Sequence, residues 1–115
     1  MKKSNAPPTV DEFLTYKPKR GEFPWSTTSE GLVIITVPKF NGTLGQRFCK
    51  VLKRKNTFEA NLDKLGSLIW SHCDGSKTVK DILDLLIREF PNQKNIDQRL
   101  FLFLQQLRAL NYLTY

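Results

Sequence analysis

Apolar residues recur along this chain with two different periods. From Thr57 to Leu62, Phe58, Ala60 and Leu62 alternate with Thr57, Glu59 and Asn61, which predicts a short strand with one buried face. Beyond it the spacing becomes helical. Leu62, Leu65, Ile69 and Cys73 share one side of a first helix, with Asn61 as its N-cap and Asp74-Gly75 as its end, where glycine supplies a left-handed conformation. A second helix is predicted from Thr78, with Asp81 three residues on in the manner of a capping box. It buries Val79, Ile82, Leu83, Leu86 and Phe90 before Pro91 stops it. Asn95 or Ile96 opens a third helix with the stripe Ile96, Leu100, Phe103, Leu104, Leu107 and Leu110; Asn111 caps it and "YLTY" follows as a tail.

Upstream, "EFPWSTTSEGLVIITVPKF" reads as a β-hairpin: a Thr/Ser segment, a turn at "SEG" and the β-branched run Leu32 to Val37, with Pro38 ending the second strand or lying at an edge. Between Thr43 and Lys55, Leu44, Phe48, Val51 and Leu52 fall at helical spacing among Arg47, Lys50, Lys53, Arg54 and Lys55, predicting a short basic amphipathic helix. Residues 1–20 combine Pro, Lys, Asn and Thr and read as a flexible arm, with a short ordered piece around "DEFLTY". The order is strands first and then three helices, an α+β pattern in one domain over residues 21–115, with residues 41–55 as a basic amphipathic insertion.

A length of 115 residues suits a single domain, and 40% apolar with 25% charged residues is ordinary for a globular chain. No apolar run approaches the ~18 residues of a membrane span. The lysines at the N-terminus are followed by no apolar stretch, so a secretory signal is not expected and the cytoplasm is. Cys49 and Cys73 form no CxxC and no zinc spacing with His72, so both are expected in the core. With one histidine, no suggestively spaced carboxylates, no nucleophile motif and no phosphate-cradling glycine loop, the sequence points away from intrinsic catalysis and calls for no metal or cofactor. Charge is uneven. Residues 1–60 hold 11 Lys or Arg against 5 Asp or Glu, giving +6, while residues 61–115 hold 7 against 6, giving +1. A basic first half attracts an anionic partner.

Gly66 lies inside the first predicted helix near its buried side, where it costs about 1 kcal/mol relative to alanine unless another element approaches closely. Trp70 flanks the same face, and the short link from Cys73 to Thr78 has the geometry of a helix-turn-helix unit. The run "LDKLGSLIWSHCDGSKTVKDIL" followed by "FPNQKNIDQRLFLFLQQLRALNYL" resembles the PqqD-like proteins, also called RiPP recognition elements. The matching cues are Leu62-Asp63, Gly66-Ser67, Trp70, Asp74-Gly75, Thr78-Val79, Ile82 and a last helix with a short hydrophobic tail.

The resemblance implies a winged helix-turn-helix-like fold, a small three-stranded antiparallel sheet followed by three helices. It implies a non-catalytic role: binding the leader segment of a ribosomally made precursor peptide and presenting it to a modifying enzyme, often a radical S-adenosylmethionine enzyme. In that family the leader adds as a strand beside the third β-strand and lies along the third helix. Carried over, the strand is Thr57, Phe58, Glu59, Ala60 and Asn61, and the helix is Ile96 to Leu110. The segment from Asn41 to Lys55 is longer than in compact family members, a departure that would cover or extend the groove.

The residues support the same expectation independently. An exposed strand edge offers backbone groups to an extended peptide. On the third helix Phe101 and Leu102 fall outside the apolar stripe, so either they contact a ligand, or Phe101 packs under the N-terminal hairpin and Leu102 is an ordinary surface residue. Arg99, Leu102 and Gln106 are the expected helix contacts, and Arg47, Lys50, Lys53, Arg54 and Lys55 steer an acidic peptide. A winged-helix DNA-binding protein is the rival. It ranks second, because the third helix carries only Arg99 and Arg108 as basic residues, and Asp81, Asp84 and Glu89 on the second helix would be repelled by phosphates.

Overall fold

The computed structural model describes residues 8–38 and 57–115. The predicted basic helix, with Arg47, Cys49, Lys50, Lys53, Arg54 and Lys55, lies outside the described residues. In chain order the elements are α1 (Val10–Leu14), β1 (Lys19–Arg20), β2 (Trp25–Thr27), β3 (Val33–Pro38), β4 (Thr57–Asn61), α2 (Lys64–Ser71), α3 (Val79–Glu89), α4 (Ile96–Ala109) and β5 (Leu113–Thr114). The class is α+β, with a three-stranded antiparallel sheet in the order β2-β3-β4 and a separate two-stranded sheet of β1 and β5. The chain divides into two compact units, residues 22–67 and the remainder.

In the unit of residues 22–67, the hairpin of β2 and β3 turns at the predicted "SEG". The Thr28 amide donates to the Leu32 carbonyl at 2.8 Å, and Gly31 takes a φ of 83°, the left-handed position that a three-residue hairpin loop assigns to glycine. The Thr28 hydroxyl accepts from the amides of Glu30 and Leu32 and fastens the loop. Along β3, Val33, Ile35 and Val37 are buried while Ile34 and Thr36 are partly so, the alternation that the β-branched run predicts. The expected N-cap of the next helix moves by two residues. Asn61 is spent in the ladder opposite Ile34, and Asp63 caps α2 instead, its Oδ1 accepting from the Gly66 amide at 2.7 Å and its carbonyl from the Ser67 amide at 2.8 Å.

In the other unit, Ile69, Trp70, Cys73, Val79, Ile82, Leu86, Ile96, Leu100, Leu104, Leu107 and Leu113 are buried. The capping box of α3 is present in full: the Thr78 hydroxyl accepts from the Asp81 amide and the Asp81 carboxylate from the Thr78 amide. Gly75, at φ 84°, makes the turn out of α2, with the Lys19 side chain packed over it. At the end of α4 the Tyr112 amide donates to Leu107 and the Asn111 amide to Arg108, with Asn111 at φ 62°, the paired bonds of a Schellman turn. Because the helix stops at Ala109, Leu110 leaves the apolar stripe and is 56% exposed, against expectation.

Two segments are more structured than their composition suggests. The described part of the stretch read as an arm carries α1 and β1, with Phe13 and Pro18 buried, so order extends beyond the piece expected around "DEFLTY". The tail is β5, with Tyr112 and Leu113 buried, pairing Thr114 with Lys19 and Leu113 with Arg20. The Arg20 guanidinium also caps the end of α2 by donating to the carbonyls of Trp70 and Ser71 at 2.9 and 3.1 Å. Phe13 explains why the segment is held. Its ring meets Tyr16, Phe101 and Tyr115 edge-on, the last two at 5.3 Å, while Tyr16 stacks on Tyr115 and the Arg108 guanidinium lies 4.6 Å above the Tyr115 ring.

Candidate functional site

The register of β4 against β3 decides what its outer edge offers. The Leu62 amide donates to the Val33 carbonyl at 2.9 Å, so Leu62 and, by alternation, Ala60 and Phe58 turn their backbone groups toward β3, opposite Val33, Ile35 and Val37. Thr57, Glu59 and Asn61 therefore turn theirs away. On the far side of β3, the Thr36 amide donates to Pro24, as this alternation requires. Among the described residues β4 has one partner strand, so its outer row of N–H and C=O groups is an open edge.

The side chains follow the same alternation. Phe58 and Ala60 share a face with the buried Val37 and Ile35, whereas Glu59 and Asn61 lie on the opposite face and are exposed. Phe58 is 44% exposed, so the expectation of a buried Phe58 fails; among the described residues β4 is an edge strand, with a partner strand on one side. The five strand residues of the candidate site are thus brought together as one edge with an apolar and a polar face.

Arg99, Leu102 and Gln106 belong to the other unit and lie together on an exposed face of α4, at spacings of three and four residues, with Leu102 55% exposed. Phe101 is not among them. It is half-buried against Phe13 of α1, beside a shallow cavity of about 70 Å³ lined by Pro8, Thr9, Val10, Phe13, Phe101 and Gln105. No local period joins residues 13, 16, 101 and 115, and the pattern of apolar positions carries no signal for this cluster.

The titratable groups near the α2–α3 turn are held in ordinary structural states. Burial pushes the Cys73 thiol up to about 12, so it stays protonated. Burial and then the Lys77 charge lower the His72 pKa from its ordinary value. Hydrogen bonds from the Ser76 hydroxyl and amide hold Asp74 at about 2, and the Thr78 amide keeps Asp81 below the usual carboxylate range. Among the described residues no group of three His, Cys, Asp or Glu could hold a metal ion, and no helix is long and apolar enough to cross a membrane.

No curated protein and no solved structure matches the chain. The model of one protein family does, that of coenzyme PQQ synthesis protein D (PqqD), over residues 51–113. That match covers more than half of the chain and takes in β4 with its open edge, the capped pair α2 and α3, the whole of α4 and the start of β5. The chain carrying these elements in this order is a member of the PqqD family.

Proposed function

We propose that this protein is a non-catalytic peptide-binding chaperone of a precursor-peptide modification system, which captures the leader segment of a ribosomally made peptide and presents it to a modifying enzyme. The observation that carries this reading is the open edge of β4, where Thr57, Glu59 and Asn61 turn backbone donors and acceptors outward inside the region the family model matches. An extended peptide pairing there satisfies its own backbone at no conformational cost to the sheet. Arg99, Leu102 and Gln106 supply further side-chain contacts, and Arg47, Lys50, Lys53, Arg54 and Lys55 steer an acidic leader toward the protein. The modifying enzyme is of the radical S-adenosylmethionine type, and the setting is the cytoplasm.

The test is a backbone amide NMR titration with an acidic, extended peptide of leader length and, separately, a random DNA duplex. Peptide-dependent shifts at Thr57 to Asn61 and on α4 support leader recognition. Shifts with DNA alone, collapsing steeply with salt, would place the protein among nucleic-acid binders instead.

A further inference from the structure

Resting on the strand-addition reading above, we infer that the edge of β4 selects a segment in which a non-acidic polar residue lies between two large apolar ones, with Glu59 and Ala60 as the residues that set this choice. Glu59 is the middle of the three residues whose backbone groups turn outward. In an added antiparallel strand, the residue that exchanges both hydrogen bonds with Glu59 lies directly opposite it and places its two neighbours across from Phe58 and Ala60, because side chains alternate.

The two faces then impose different chemistry. Phe58 and Ala60 share the face of Val37 and the fully buried Ile35, so both neighbours of the bonded residue land on apolar surface. Ala60 presents only a methyl group there, leaving room for a large side chain that also reaches the flank of the exposed Phe58 ring. The bonded residue itself projects to the opposite face beside the exposed Glu59, where a second carboxylate is repelled and a lysine is attracted.

This local preference is compatible with an acidic leader. The +6 charge of the first 60 residues acts over roughly 8–10 Å on the peptide as a whole. Glu59 acts on one position.

The probes are blocked nine-residue Ser/Thr peptides carrying Leu-Lys-Phe, Leu-Glu-Phe or Ala-Lys-Ala at their centre, titrated by amide NMR alongside the leader. Leu-Lys-Phe binds tighter than Leu-Glu-Phe by about threefold and tighter than Ala-Lys-Ala by about tenfold. Glu59→Lys reverses the first preference, and Ala60→Leu removes the second. If shifts appear along β4 but neither substitution changes a preference, this assignment is overturned and strand addition stands. If no peptide, leader included, shifts the β4 amides, strand addition fails and this inference with it.

Discussion

The hydroxyl of Ser67 stands in for a rung of the sheet beside Val33. It accepts the Val33 amide at 2.8 Å and donates to the Leu62 carbonyl at 3.3 Å, so a buried side chain from the first turn of α2 bridges the two groups that a direct ladder bond would have joined. The end of the β3–β4 pair is thereby fastened to the helix that follows it.

Ser67→Ala leaves the Val33 amide buried and unpaired, and is expected to lower stability by about 1–3 kcal/mol. Urea denaturation of the two proteins measures the difference; equal midpoints would show that the bridge is dispensable.

The exposed Leu102 and Phe58 are predicted to matter for binding and not for folding. Leu102→Glu and Phe58→Lys should each weaken leader binding by about tenfold, or about 1.4 kcal/mol, with thermal midpoints within a few degrees of the parent. Unchanged affinity in both variants would remove these residues from the contact surface.

Asp74 is held at about 2 by the Ser76 hydroxyl and amide, against a value of 3.8 for the free side chain. The folded pKa is depressed, so the stabilisation is present in full above about 3.8 and is lost as the pH falls through 2. A carboxyl carbon titration should place the Asp74 midpoint near 2. Ser76→Ala should move it upward, toward the ordinary carboxylate range.

For Cys73 the sign is reversed. Its thiol is raised from 9.0 to about 12 by burial, so its contribution is complete below pH 9 and declines as the pH rises toward 12. In a Cys49→Ser background, a disulfide reagent at pH 8 should leave Cys73 unmodified in the native protein and label it once urea unfolds the chain. Rapid native-state labelling would contradict the burial.

Phe13→Ala should loosen the segment that precedes the sheet. Removing the ring that meets Tyr16, Phe101 and Tyr115 is expected to speed amide exchange at Arg20 and Gly21, which donate to Cys73 and Tyr112. Exchange rates unchanged from the parent would show that the strand pairing holds the segment without the aromatic contacts.

Features written into a few adjacent residues were legible in the chain itself. The Thr78–Asp81 box, the Gly31 turn and the left-handed Asn111 each depend on contacts within about five positions, and residue type alone identifies them. The α4 stripe was legible up to Leu107; at Leu110 the period ran on but the helix, ending at Ala109, did not. Competition between elements was harder to see: Asn61 is a sound cap until β3 claims it, and Asp63 then takes the role. Phe58 obeyed strand alternation and is still exposed, because alternation assigns a face and says nothing of whether the strand lies at an edge. The aromatic cluster around Phe13 joins residues about a hundred positions apart and left no periodic trace.

The pairing of Lys19 with Thr114 has a consequence for the order in which the protein assembles. These residues lie far apart in sequence, so closing them costs more loop entropy than any turn or hairpin here and must wait until β5 has been synthesised. On the ribosome the segment around Phe13 emerges well before its partners Phe101 and Tyr115. That segment therefore finds its place only after the sheet and helices between them have been made.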